Sequence, residues 1–237
     1  MKIFKFFFTI IFLFIFKTNN AFSLVEVDIT RGNLDPLPIA VSPLSLDKKD
    51  KNEFFEILNL EDLGEEISKV IENNLKKTGL FNTLSKDAFL QKPDIAHLKP
   101  RFEDWALIKA QALITGKVSI QKEKLKVEFR LWDVLAAKEM MALAFTTVPS
   151  NWRRVGHIIT DKVYQRLTGE KGYFDTRIIY VAEEGPKTQR IKKLAIMDQD
   201  GFNTKYLTLG NELVLTPRFN PTNQMVTYLS YFKNLPR

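Results

Sequence analysis

The stretch 157–181, HIITDKVYQRLTGEKGYFDTRIIYV, changes its period halfway. Its first part continues an apolar row already set by Trp152 and Val155, with Ile159, Val163 and Leu167 at helical spacing. Gly169 supplies a helix stop. Pro149-Ser150 opens this helix, with Ser150 a suitable N-cap. From Arg177 the pattern is extended, and no helical period returns before the last residue. Gly169 to Tyr173 therefore divides an α/β region from an all-β region.

Downstream, Arg177 to Ala182 reads as a strand and Glu184-Gly185-Pro186 as a turn. Arg190 to Met197 is the next strand. Asp198-Gln199-Asp200-Gly201 is a hairpin turn, since Asp-Gly favours the positive φ that such a turn needs. Phe202 to Leu207 is a third strand. Pro217-Arg218-Phe219-Asn220-Pro221 introduces another, Met225 to Tyr231. Four strands make one propeller blade, at about 40–45 residues per blade. Residues 174–237 supply the first blade and the start of the second. An unfinished ring leaves an open sheet edge and an unmatched apolar face. The expectation is that this part is poorly ordered or protease-sensitive while the first domain folds alone.

Upstream, Leu63, Ile67, Val70, Ile71 and Leu75 form one stripe of a helix. Lys76 and Lys77 lie in its last turn, and Gly79 stands at the C′ position. Before it, Leu37, Ile39 and Val41 form an extended apolar run. After it, Leu80 and Phe81 start a buried strand. Residues 91–101 read as a loop and 102–111 as a short helix. Ala112 to Ile120, Leu125 to Val134 and Glu139 to Val148 form an antiparallel meander, with Leu125, Val127, Phe129 and Leu131 inward. Residues 24–170 thus give a two-layer α/β domain, a mixed sheet with two main helices.

The N-terminus has the form of a signal peptide: Lys2 and Lys5, the apolar run Phe6 to Phe16, and Ala21-Phe22-Ser23 as a cleavage site. The alternative is an uncleaved anchor. Cleavage near Ser23 would remove Lys2, Lys5 and Lys17 and lower the formal charge from +7 to +4. The remaining charges are interleaved, with none of the basic stripe of a nucleic-acid binder. The chain has no Cys, which excludes a disulfide framework and thiol chemistry.

No catalytic constellation stands out. Nucleophile elbow, P-loop and dinucleotide fingerprint are all missing from the sequence. His97 and His157 are far apart and, without clustered carboxylates, make a poor start for a metal site. Glu65-Glu66, Glu183-Glu184, Lys192-Lys193 and Arg153-Arg154 read as exposed charges. No catalytic residue, metal, cofactor or small-molecule substrate is expected. Leu24 to Thr30 alternates strictly, with Val25, Val27 and Ile29 on one side and Glu26, Asp28 and Thr30 on the other. Such a strand can join a partner's sheet edge or its own domain's sheet.

Several of these segments resemble the TolB family: DPLPIAV, DLGEEISKVIENNLKKTGLF, ITGKV, LWDV, the 157–181 stretch itself, and IKKLAIMDQDG. TPRFNP followed by VTYLS is similar to the family's blade repeat, usually P-x-[WF]-S-P-D-G, with Asn220 in place of Ser and Thr222-Asn223 in place of Asp-Gly. The resemblance implies an α/β domain followed by a six-bladed propeller, in the periplasm. It implies a non-enzymatic scaffold of the Tol-Pal system. Such a scaffold links TolA to the peptidoglycan-associated lipoprotein Pal, for envelope integrity and for outer-membrane constriction in cell division. It meets membranes only through partners. The TolA-binding stretch carries over to Leu24, Val25, Glu26, Val27, Asp28, Ile29, Thr30, Arg31, Gly32, Asn33 and Leu34. Pal contacts in the family lie mostly on later blades, so none is assigned, and the function is expected to be impaired. The alternative is the N-terminal fragment of a propeller-bearing periplasmic peptidase.

Overall fold

A computed structural model of the chain describes residues 35–46, 50, 58, 60, 62–223, 225–232 and 235–236. The signal-like segment and the Leu24–Leu34 stretch lie outside the described residues.

The chain first alternates strands and helices. β1 (Leu37–Val41) and β2 (Ser45–Leu46) precede α1 (Leu63–Lys77), and β3 (Phe81–Thr83) follows it. Two short helices, α2 (Pro93–Ala96) and α3 (Phe102–Leu107), lead into the meander β4 (Ala112–Gln121), β5 (Lys124–Asp133) and β6 (Lys138–Thr147). The strands join in the order β3-β1-β4-β5-β6, with β2 also on β4. β1 is parallel to both neighbours, whereas β4, β5 and β6 are antiparallel. The sheet is mixed because a helix returns β1 to β3, while tight turns join the meander.

α1 begins where the Asp62 carboxylate accepts the Glu65 N–H at 3.1 Å, and it ends at Gly79, whose φ is +72°. α4 (Trp152–Thr168) follows a 3₁₀ turn at Pro149–Asn151. Ser150 therefore falls inside that turn, and the N-cap position passes to Asn151, with no side-chain cap. Residues 93–96, read as loop, form one helical turn because Pro93 is preset for a first helical position.

Alternation along the strands divides the core. Ile39, Ile114, Phe129 and Leu131 face α1 and α4 in the larger cluster. Ala40, Leu113 and Val134 face the other way, against Trp105 of α3 and Ala96 of α2. The two-layer expectation thus gains a small third layer.

α1 and α4 touch through Gly156. A Cβ there would lie 2.9 Å from Val70 Cγ1. Val70 is β-branched and has few rotamers to retreat into. Gly156→Ala gains up to about 1 kcal/mol of helix propensity, against about 1–3 kcal/mol for overpacking. A net loss of about 1 kcal/mol in urea denaturation is expected, and a gain would show that the helices can part freely.

β7 (Arg177–Glu184), β8 (Ile191–Asp198) and β9 (Lys205–Tyr206) form one antiparallel sheet. β10 (Leu213–Phe219), β11 (Val226–Phe232) and β12 (Leu235–Pro236) form another. Together they make sheets without closure, a partial propeller. Pro217 lies within β10, at a register shift between Leu215 and Arg218, the kind of position that tolerates a missing N–H. The third strand read at 202–207 shortens to two residues. Among the described residues, no helix is long and apolar enough to cross a membrane.

Candidate functional site

Polar side chains converge where α4 meets the turn after β8. Along α4, Arg153, His157 and Asp161 recur every fourth residue, a polar row beside the apolar stripe. Asp161 holds the chain that leaves the helix: its Oδ1 accepts the Phe174 N–H at 2.7 Å and its Oδ2 the Asp175 N–H at 3.1 Å. Phe174 is thereby seated in the core, edge-on to Tyr164 at 5.8 Å. Arg154 grips Asp175 with Nε on Oδ1 at 2.9 Å and Nη2 on Oδ2 at 3.0 Å. This fork raises the guanidinium pKa.

Arg153 reaches the turn itself. Its Nη2 donates to Asp200 Oδ2 at 2.5 Å, and its guanidinium stacks 3.7 Å from the Phe202 ring centroid. The side chains are 14% and 8% exposed, so this pair is shielded from salt in a way surface pairs are not. Next to it, His157 is 2% exposed. Gln199 donates to Asn74 Oδ1 at 2.9 Å, which turns the Asn74 amide nitrogen toward His157 Nδ1, also 2.9 Å away. Nδ1 is then an acceptor, and the ring proton sits on Nε2. Nε2 lies 3.6 Å from Asp200 Oδ2, and its N–H has no hydrogen-bond partner among the described residues. Burial pushes the imidazole below its ordinary pKa, although Asp200 and Asp198 pull it upward.

The turn is closed by Gly201 at φ +91°, with its N–H on Asp198 O at 3.0 Å, as Asp-Gly predicts. Beside it lies a polar cleft of about 220 Å³, lined in part by Arg153, His157, Asp175, Asp198 and Lys205. Chemically the arrangement can clamp two structural units together.

His157 comes within ligand-atom reach of Asp198 and Asp200, a grouping the sequence reading did not foresee. The sequence pattern puts Arg153 and Arg154 on an exposed face, whereas the structure places Arg153 inside the junction. The signal was the i, i+4, i+8 polar row on an otherwise buried helix flank. The other charge pairs behave more simply. Glu183 meets Lys192 at 2.7 Å and Glu184 meets Lys193 at 2.9 Å across β7 and β8. Glu65 meets Lys86 at 2.6 Å, and Glu66 meets Lys69 at 2.8 Å. His97 ends α2, near Pro93 O. The Leu24–Leu34 residues fall outside the described residues.

Known proteins carry the same two parts. A family model for the TolB amino-terminal domain matches residues 25–140, and one for the TolB beta propeller domain matches residues 164–237. The Tol-Pal system protein TolB of Pelagibacter ubique (strain HTCC1062) is 80% identical over 225 residues, covering 95% of this chain and 50% of that protein. The crystal structure of TolB from Acinetobacter baumannii superposes with a TM-score of 0.69 at 24% identity, over 85% of this chain and 46% of that one. The chain thus spans about half the length of the relatives it matches. The helix-to-strand bridge, the mixed sheet and the unclosed blades all agree with these matches, and the chain belongs to the TolB family.

Proposed function

We propose that the chain is a non-enzymatic adaptor of the Tol-Pal system, working in the periplasm after removal of residues 1–23. Residues 24–170 form its α/β domain and 174–237 the start of its propeller. Leu24 to Leu34 engage a TolA-type partner by adding a strand to its sheet edge, with Val25, Val27 and Ile29 filling alternate pockets. The surface for Pal lies mainly on blades beyond those described here. In this role the protein serves envelope integrity and outer-membrane constriction.

The 80% identity to a Tol-Pal TolB carries this reading. It is supported by Asn74, Arg153 and His157, which meet Gln199 and Asp200 and so join the α/β unit to the first blade. Separate pull-downs with TolA and Pal test it. Capture by TolA is expected, and deletion of residues 24–34 should reduce it at least tenfold with the circular-dichroism spectrum unchanged. Capture by Pal should be much the weaker of the two. Full-strength Pal binding, or TolA binding indifferent to the deletion, would overturn the assignment of surfaces.

A further inference from the structure

The cluster of His157, Asp198 and Asp200 has the composition of a divalent-cation site, but its surroundings are built for something else. A histidine that ligates a metal donates its other ring N–H to a neighbour. Here Nδ1 accepts from Asn74 instead, so Nε2 carries the proton. A cation is also already present, since the Arg153 guanidinium lies on Asp200. What remains is an uncharged imidazole enclosed at a seam between α1, α4 and the β8–β9 turn, with an unpartnered N–H.

We propose that this seam is a proton-sensitive latch: uncharged His157 lets the α/β unit close on the first blade, and its protonation on acidification releases the blade. Three geometric facts support it. His157 lies between the two units rather than within one, touching Asn74 of α1 on one side and the Asp200 turn on the other. Gln199 of that turn is bonded to the same Asn74 amide, so any change at the imidazole is felt by the turn. A second proton must go on Nδ1, where the Asn74 amide N–H now points, and admitting it requires that amide to rotate and to break with Gln199.

The charged groups acting on His157 come from three places, and Arg154, Arg177 and Lys205 line the same cleft. Asp198 and Asp200 come from the turn and Asp175 from the segment after α4, and all three favour the imidazolium. Arg153, one turn earlier on α4, opposes it, and burial opposes it more. From α1 the facing group is the neutral Asn74.

The sign follows. A histidine with an ordinary pKa of about 6.5 when released, and a lower one when enclosed, binds its proton first in the open form. Closure is complete above about pH 6.5. Below it, the ratio of open to closed molecules rises by up to tenfold per pH unit, until the enclosed pKa is reached.

The test uses the full chain, whose lack of Cys permits site-specific labelling. Cysteines replace Gln165, exposed on α4, and Lys187, exposed on the turn after β7, and carry spin labels for distance measurement. A single short distance is expected at pH 7.5, with a longer one growing at least tenfold by pH 5. His157→Gln should hold the same distribution at both values. Because that variant could fold poorly, imidazole NMR of the unmutated chain is read alongside, which is simple with two histidines. The His157 titration should share its midpoint with the opening. A distance that ignores pH, opening that persists in His157→Gln, or an imidazole that remains neutral while the units part would each overturn the latch.

Discussion

Trp105→Ala is expected to cost about 3–5 kcal/mol of the stability of the α/β unit, the range for deleting a fully buried large aromatic. Trp105 is 1% exposed and sits on a helix of six residues, too short to hold itself together. Its neighbours on that side of the sheet include Ala40, Ala96 and Ala110. Alanines cannot swing into the space a lost indole leaves, so the cavity persists and the cost falls at the high end. The ring also packs edge-on to Phe89 at 4.9 Å, and its Nε1 donates to Gln91 Oε1 at 3.1 Å. That same oxygen accepts the Arg101 N–H at 2.9 Å, so Gln91 joins the loop before α3 to the helix itself. Trp105→Phe keeps most of the apolar contact and should cost about 1–2 kcal/mol, through the lost indole N–H bond to Gln91 Oε1, which keeps the Arg101 N–H, and through the smaller ring. Urea denaturation followed by far-ultraviolet circular dichroism measures both. A loss below about 1 kcal/mol for Trp105→Ala would mean that α2 and α3 do not form a packed layer.

The contrast between that layer and the larger core explains what could be read from sequence. The α1 stripe from Leu63 to Leu75 and the α4 stripe from Val155 to Leu167 each bury one face against a sheet, so period and caps sufficed. β5 was legible for the same reason, since Leu125, Val127, Phe129 and Leu131 alternate strictly and all are buried. The second layer was not legible. Trp105 and Val134 are far apart in sequence, and neither α2 nor α3 is long enough to show a period. β10 is obscured by Pro217, which a strand accepts at an edge or a bulge, and β10 offers both.

The junction failed to show itself for a different reason. Its members come from α1, α4 and the β8–β9 turn, and pairings between residues as distant as Asn74 and Gln199 leave no local mark. Asp-Gln-Asp-Gly was read rightly as a turn, and that explanation hid its second use. Turn geometry accounts for Gly201 and for the Asp198 carbonyl. It does not account for Asp200, whose carboxylate is needed by Arg153. A surplus acidic group in a turn that is already satisfied is therefore a pointer to a partner elsewhere.

Asp161→Ala should loosen this junction more than any other single change on α4. The carboxylate accepts two backbone N–H groups from consecutive residues, Phe174 and Asp175, and no other hydrogen bond to those N–H groups is seen. Each orphaned N–H costs about 1–3 kcal/mol where water is excluded, so local opening of residues 169–176 should become easier by about 2 kcal/mol or more. Gly172 belongs to the same contact, because a Cβ there would lie 2.5 Å from the Asp161 Cα. The chain passes this close only because residue 172 has no side chain and residue 161 has an acceptor. Lys171 is exposed in the segment and gives trypsin a defined target. When opening and closing are fast relative to cleavage, the rate follows the open population, and about 2 kcal/mol corresponds to about thirtyfold faster cutting. Asp161→Asn keeps one accepting oxygen and should fall between, at about fivefold. The Trp105 variants lie on the far side of the sheet and should leave this cleavage rate unchanged relative to their global stability. Equal cleavage rates in Asp161→Ala and the unmutated chain would mean that Phe174, stacked against Tyr173 at 4.6 Å and buried under Tyr164, holds the segment without the carboxylate. In that case Phe174→Ala, and not Asp161→Ala, should accelerate the cut, so the pair of variants separates anchoring by hydrogen bonds from anchoring by the aromatic ring.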